Sequence, residues 1–143
     1  MSVGLLIITH GRIGEQLLST TTSVLGFCPL QTAYLEVSQK SDPDSVLRQA
    51  LHLRDELDHG DGVLVLTDMY GSTPSNIATR LLDHPQVQVV AGINLPMLVR
   101  VLNYPGCNLH EMVNKALSGG HDGILFCEPE DQQHGQYRAY DHQ

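Results

Sequence analysis

Gly4-Leu5-Leu6-Ile7-Ile8-Thr9-His10-Gly11-Arg12-Ile13-Gly14-Glu15 joins a short, wholly apolar run to a histidine and then to a glycine-spaced helical start. A strand buried on both faces reads as a continuous apolar run, so Val3 to Thr9 predicts a central parallel strand. His10 then sits at the carboxyl rim of a sheet, beside the N-terminus of a helix. Leu17, Leu18, Thr21, Val24 and Leu25 recur at one-face helical spacing, and Gly26 stands where a left-handed C-cap belongs.

The same alternation continues outward. Leu30 to Val37 predicts a second, more polar strand. Asp42, Pro43 and Asp44 form a helix start, as N-cap, first helical residue and acidic first turn. Val46, Ala50, Leu53 and Leu57 give that helix its stripe up to Gly60. Gly62 to Thr67 is a third strand, and Asp68 to Pro74 a loop at its carboxyl end. Pro74 opens a helix bearing Ile77, Ala78, Leu81 and Leu82.

Val87 to Ala91 is a fourth strand, and Gly92-Ile93-Asn94 turns it into a helix from Leu95 to about Leu102. Asn108 with Glu111 predicts a capping box for a helix carrying Leu109, Met112, Val113, Ala116 and Leu117. Ser118-Gly119-Gly120 is expected to end it, and Gly123 to Cys127 to form a fifth strand. Strands alternating with helices imply an α/β fold: a doubly wound, mainly parallel sheet with helices on both faces. Residues 1–127 read as one domain and 128–143 as a polar, flexible tail.

The 143 residues suffice for one core, and 41% hydrophobic with 17% charged residues is ordinary for a soluble globular chain. With a net charge of −8 and only eight Lys plus Arg, a phosphate-backbone binder is disfavoured. Nucleic acid and direct membrane partners are therefore not expected. No apolar run approaches the roughly 20 residues of a membrane span. Cys28, Cys107 and Cys127 are isolated, which suggests a reducing compartment, no structural disulfide and small core positions.

Ligands of open parallel sheets bind at the carboxyl ends of strands. Two such ends carry His10 and Asp68, so the topology can bring them together. A carboxylate accepting from Nδ1–H holds an imidazole in the tautomer that leaves Nε2 free to attack. This predicts a nucleophilic histidine that receives a phosphoryl group. Such transfer rests on positioning and electrostatics. Backbone N–H groups after His10 and after Thr73 are candidate donors, with the hydroxyls of Ser72 and Thr73. Gly11 and Gly71 are expected to let backbone approach closely.

Thr73 reads equally as a plain helix cap, and Arg12 as a phosphoryl contact, a partner contact or a solvated side chain. Ile93, Leu95, Pro96 and Met97 read as core packing or as a docking surface. His52, His59, His84, His110, His121, His134 and His142 read as surface or capping residues. His52 and His59 lack a third ligand, so no metal site is expected. No P-loop or dinucleotide fingerprint is present, and no cofactor is expected. A flavodoxin-like nucleotide or flavin module remains the weakest alternative.

Three segments carry a family resemblance. They are Thr9-His10-Gly11, then Leu66 through Asn76 (Leu-Thr-Asp-Met-Tyr-Gly-Ser-Thr-Pro-Ser-Asn), then Val90 through Leu98 (Val-Ala-Gly-Ile-Asn-Leu-Pro-Met-Leu). Together they resemble the mannose-type IIA proteins of the bacterial phosphoenolpyruvate-dependent sugar phosphotransferase system, over roughly residues 1–127. The phosphotransferase subunit of dihydroxyacetone kinase shares the fold type but fits these motifs less well.

The resemblance implies a cytoplasmic phosphotransferase with His10 as the phosphorylated residue. Asp68 would orient it, and Gly71 and Thr73 would lie in the phosphoryl-holding loop. It implies phosphocarrier HPr as donor and a IIB component as acceptor, with the membrane reached only through a permease complex. It also implies a homodimer with an exchanged edge strand, here Gly123–Cys127. Thr73 and Tyr70 stand where the family commonly has serine and tryptophan. The alternative is a regulatory protein whose His10 phosphorylation state controls a partner without sugar transport.

Overall fold

A computed structural model describes residues 2–129. Most of the expected polar tail therefore lies outside the described residues. Elements follow the order β1 (Gly4–His10), α1 (Ile13–Leu25), β2 (Thr32–Val37), α2 (Pro43–Leu57), β3 (Val63–Thr67), α3 (Thr73–Thr79), a 3-10 turn (Arg80–Asp83), β4 (Val87–Ala91), α4 (Leu95–Leu102) and α5 (Leu109–Asp122).

The four strands form one parallel sheet in the order β2-β1-β3-β4. Chain order reverses between β1 and β3. Register places Leu5 beside Thr32 and Leu64, and Ile8 beside Leu35 and Thr67. β1 and β3 are buried on both faces because helices cover both sides. Leu5, Ile7, Leu64 and Leu66 pack under α1, α4 and α5. Leu6, Ile8, Val63 and Val65 pack under α2 and α3. Each such fully buried aliphatic side chain contributes roughly 1.5–3 kcal/mol relative to exposure.

Helix ends follow local chemistry. Gly26, at φ +86°, closes α1 through its N–H to the Thr22 carbonyl. Asn108 and Glu111 form a full capping box on α5: the Asn108 side chain accepts from Glu111 N–H, and Glu111 accepts from Asn108 N–H. Asp42 occupies the N-cap position of α2 but makes no side-chain cap bond. Its contribution is the extended backbone that Pro43 demands of the residue before it.

Three expectations change. α5 runs straight through Ser118, Gly119 and Gly120 to Asp122. These glycines belong to a helix–helix contact: a Cβ on Gly119 would lie 2.5 Å from Arg100 Cβ and 3.2 Å from the Pro96 carbonyl oxygen. Residues 124–128 pair with no strand in this single chain, and Ile124, Leu125 and Phe126 are exposed. A strand needs a neighbouring edge to pair with, and among the described residues this segment lies along none. Finally, two of the cysteines are not core residues: Cys28 and Cys127 are exposed, while Cys107 is half-buried against the core. Among the described residues, no helix is long and apolar enough to cross a membrane.

Candidate functional site

β1 and β3 are adjacent and parallel, so their carboxyl ends deliver His10 and Asp68 to one rim at the reversal of strand order. His10 Nδ1 lies 2.9 Å from Asp68 Oδ2. The same carboxylate oxygen accepts from the His10 backbone N–H at 3.0 Å, and Oδ1 accepts from Met69 N–H at 3.0 Å. Burial pushes the Asp68 carboxyl upward. The bonds from the His10 ring, the His10 backbone and Met69 outweigh it and hold the group below its ordinary value.

An ionised carboxylate only accepts, so Nδ1 carries the proton and donates. In the neutral ring Nε2 is then the bare nitrogen, and it makes no hydrogen bond among the described residues. The His10 side chain is 45% exposed against 13% for Asp68. The half-buried carboxylate is the anchored partner, and the imidazole is the more accessible one.

Thr9 supports this arrangement in a way its sequence position alone did not announce. It is buried on the α1 face, donating from Oγ1 to the His10 carbonyl at 3.2 Å and accepting from Gly14 N–H at 2.8 Å. The hydroxyl thus pins the end of β1 to the first turn of α1. Gly14 permits that approach, since a Cβ there would lie 2.7 Å from Ile7 Cγ2.

The expected anion donors sort unevenly. Gly11 N–H is already given to the Val37 carbonyl at 2.9 Å, and its φ of +47° explains the glycine. Gly71 N–H goes to Ser75 Oγ at 3.3 Å, at φ +85°. A Cβ at either position would meet nothing within 4 Å of this chain, so conformation rather than crowding calls for glycine there. Ser72 donates its hydroxyl to the Met69 carbonyl at 2.6 Å. Ser72, not Thr73, is the N-cap residue of α3, and Thr73 is the first helical residue. The exposed Thr73 hydroxyl and its N–H make no hydrogen bond among the described residues.

Arg12 is paired. Its Nε donates to Glu15 Oε1 at 2.9 Å, while Tyr34 Oη donates to Glu15 Oε2 at 3.1 Å. The bond from Arg12, and then that from Tyr34, lowers the Glu15 carboxyl, and the bond to Glu15 raises the Arg12 guanidinium in return. Ile93, Leu95 and Pro96 are half-buried and Met97 is buried, with Ile93 packed on the core. Among the described residues no group of three or more His, Cys, Asp and Glu is placed to hold a metal.

The family described as PTS system fructose IIA component (EIIA-man) matches residues 4–117, most of the chain and the whole of this rim. The chain belongs to this family. The EIIAB component of the mannose-specific PTS system of Escherichia coli K12 is 31% identical over 127 residues, 87% of this chain. The chain spans 39% of that relative's length.

Solved structures of the family agree. The mannose/sorbose-specific IIA subunit from Enterococcus faecalis superposes with a TM-score of 0.80 at 25% identity, covering 90% of this chain and 96% of that one. The IIA protein associated with the fucose utilization operon of Streptococcus pneumoniae gives 0.71 at 28% identity, covering 93% and 98%. This EIIA-man chain, with its four parallel strands, thus shares the fold of these IIA structures.

Proposed function

We propose that this EIIA-man chain is a phosphohistidine phosphocarrier, a phosphotransferase of the phosphoenolpyruvate-dependent sugar phosphotransferase system. One observation carries the reading: an exposed imidazole whose Nδ1–H is spent on an ionised Asp68, leaving Nε2 free. The Nε2 lone pair attacks the phosphorus of phospho-HPr, the donor's own N–P bond breaks, and a new N–P bond forms on His10. The Nδ1 proton stays in place, and Asp68 stabilises the added positive charge on the ring. The reverse step hands the phosphoryl group to a IIB-type acceptor.

Thr73 hydroxyl and N–H are the uncommitted donors we assign to the phosphoryl oxygens. Gly11 and Gly71 shape the two loops, and Ser72 orders the turn before α3. Exposed Ile13, Met69 and Tyr70 flank the histidine and aspartate in sequence and suit a protein partner better than a small sugar.

Residues 1–127 form the phosphocarrier domain in this reading, acting in the cytoplasm where HPr resides. The open outer edge of β4 and the exposed Ile124-Leu125-Phe126 support a homodimer in which each chain lends that segment to its partner. The relatives' names cite different sugars, and the reading is of phosphotransfer, not of one sugar. The regulatory alternative uses the same histidine, and no observation favours it.

The test is reconstitution with enzyme I, HPr and labelled phosphoenolpyruvate. Acid-labile label is expected on wild type and not on His10→Ala. Label surviving that substitution would remove His10 from the proposal.

A further inference from the structure

We infer that the Gly92–Asn94 turn is a positioning device for the Asp68 carboxylate; this deepens the phosphocarrier reading and rests on it. β3 and β4 pair up to Thr67 and Ala91, and there the regular ladder stops. Gly92 N–H is then shared between the Thr67 carbonyl at 2.9 Å and the Asp68 carbonyl at 3.1 Å. Ile93 N–H adds a second bond to the Thr67 carbonyl at 3.1 Å. The backbone on which the Asp68 side chain stands is therefore held by the next strand's turn, from the side opposite His10.

Gly92 sits at φ +96°, a left-handed conformation that favours glycine, and there the chain turns from β4 towards α4. Asn94 fixes the far end of the turn. Its Oδ1 caps α4 by accepting from Met97 N–H at 2.9 Å, and its Nδ2 donates to the Gly120 carbonyl at 3.2 Å. The path runs from the last turns of α5 through Asn94 and Gly92 to Asp68 and then to His10. A misplacement of about 1 Å at a reacting group can cost roughly a hundredfold in rate.

The test compares Gly92→Ala, Gly92→Asn and Asn94→Ser with a control, Gly26→Ala, which strains an equally positive φ at the end of α1 away from the rim. Two readouts are taken: phosphorylation rate from phospho-HPr, and the His10 tautomer from ring 15N shifts in unphosphorylated protein. Gly92→Ala is expected to slow phosphorylation about tenfold or more and to erode the Nδ1–H tautomer. Gly92→Asn, which tolerates positive φ, should restore both.

Asn94→Ser keeps a cap acceptor and loses the bond to Gly120. A several-fold slowing with the same spectral change is expected, and it keeps the test open if Gly92→Ala does not fold. Gly26→Ala should lower Tm while leaving both readouts unchanged. An unaltered tautomer in folded Gly92→Ala or Asn94→Ser, or an equal effect from Gly26→Ala, would overturn the inference. If wild type takes no label from HPr, the phosphocarrier reading falls, and the 15N comparison still decides this one.

Discussion

At the scale of single residues, the proposed chemistry reduces to which ring nitrogen of His10 keeps its proton. Asp68 decides this only while ionised. Asp68→Asn presents an amide that can meet either tautomer, and phosphorylation by HPr is expected to slow by about a hundredfold with the fold intact. Quench-flow measurement on protein with unchanged circular dichroism would check it. The same carboxylate links pH to stability. Its pKa is depressed in the folded chain, so its contribution is present above the unfolded value near 4 and is lost as pH falls through the lower folded value. The unfolding free energies of wild type and Asp68→Asn should therefore converge as pH drops from about 5 towards 2. A gap that stays constant over that range would contradict the assignment. The meeting of His10 and Asp68 was legible in the sequence because both stand where an apolar run stops. Gly92's hold on Asp68 was not, because a split backbone bond leaves no trace in residue type beyond a glycine at a strand end.

At the scale of elements, the contact between α4 and α5 is made by absence. Gly119 brings its backbone against Arg100 Cβ, Gly120 meets Met97, and Gly123 meets Pro96. Gly119→Val forces the helices apart and is expected to cost about 1–3 kcal/mol in urea unfolding. Gly106→Ala, where a Cβ meets nothing within 4 Å, should change little. Sequence reasoning took Ser118-Gly119-Gly120 for a helix end because intrinsic propensity points that way. Tertiary contact overrides it, and only the partner helix reveals why. By contrast, β1, β3 and β4 were legible to within a residue: burial on both faces gives β1 and β3 near-continuous apolar runs, and β4 keeps Val87, Val89 and Val90 around an exposed Gln88. Two of the cysteines ran against the usual burial of that residue type. Cys28 follows the α1 cap and Cys127 follows α5, both outside the packed layers.

At the scale of the whole molecule, the sheet has a bare edge at β4 and an apolar segment after α5 with nothing beneath it. If a second copy accepts that segment, Leu125→Asp should shift sedimentation from dimer to monomer. Wild-type Tm should also rise with protein concentration, as mass action requires of an assembly bound only in the folded state. A monomeric wild type, or a Tm independent of concentration, would remove the exchange. Fold class followed from the alternation of strands and helices alone. The fate of residues 123–127 did not, because a strand is a relation between two backbones.

The strands all run one way, so His10 and Asp68 gather at one rim and the opposite rim carries neither. Cys28 precedes β2, whose Thr32 pairs with Leu5 at the far end of β1 from His10, and it is exposed. With Cys127→Ser removing the other exposed thiol, a maleimide dye on Cys28 would ride on the face turned away from the imidazole. The chain thus carries a native attachment point from which encounters with phosphoryl donors can be watched by fluorescence without obstructing them.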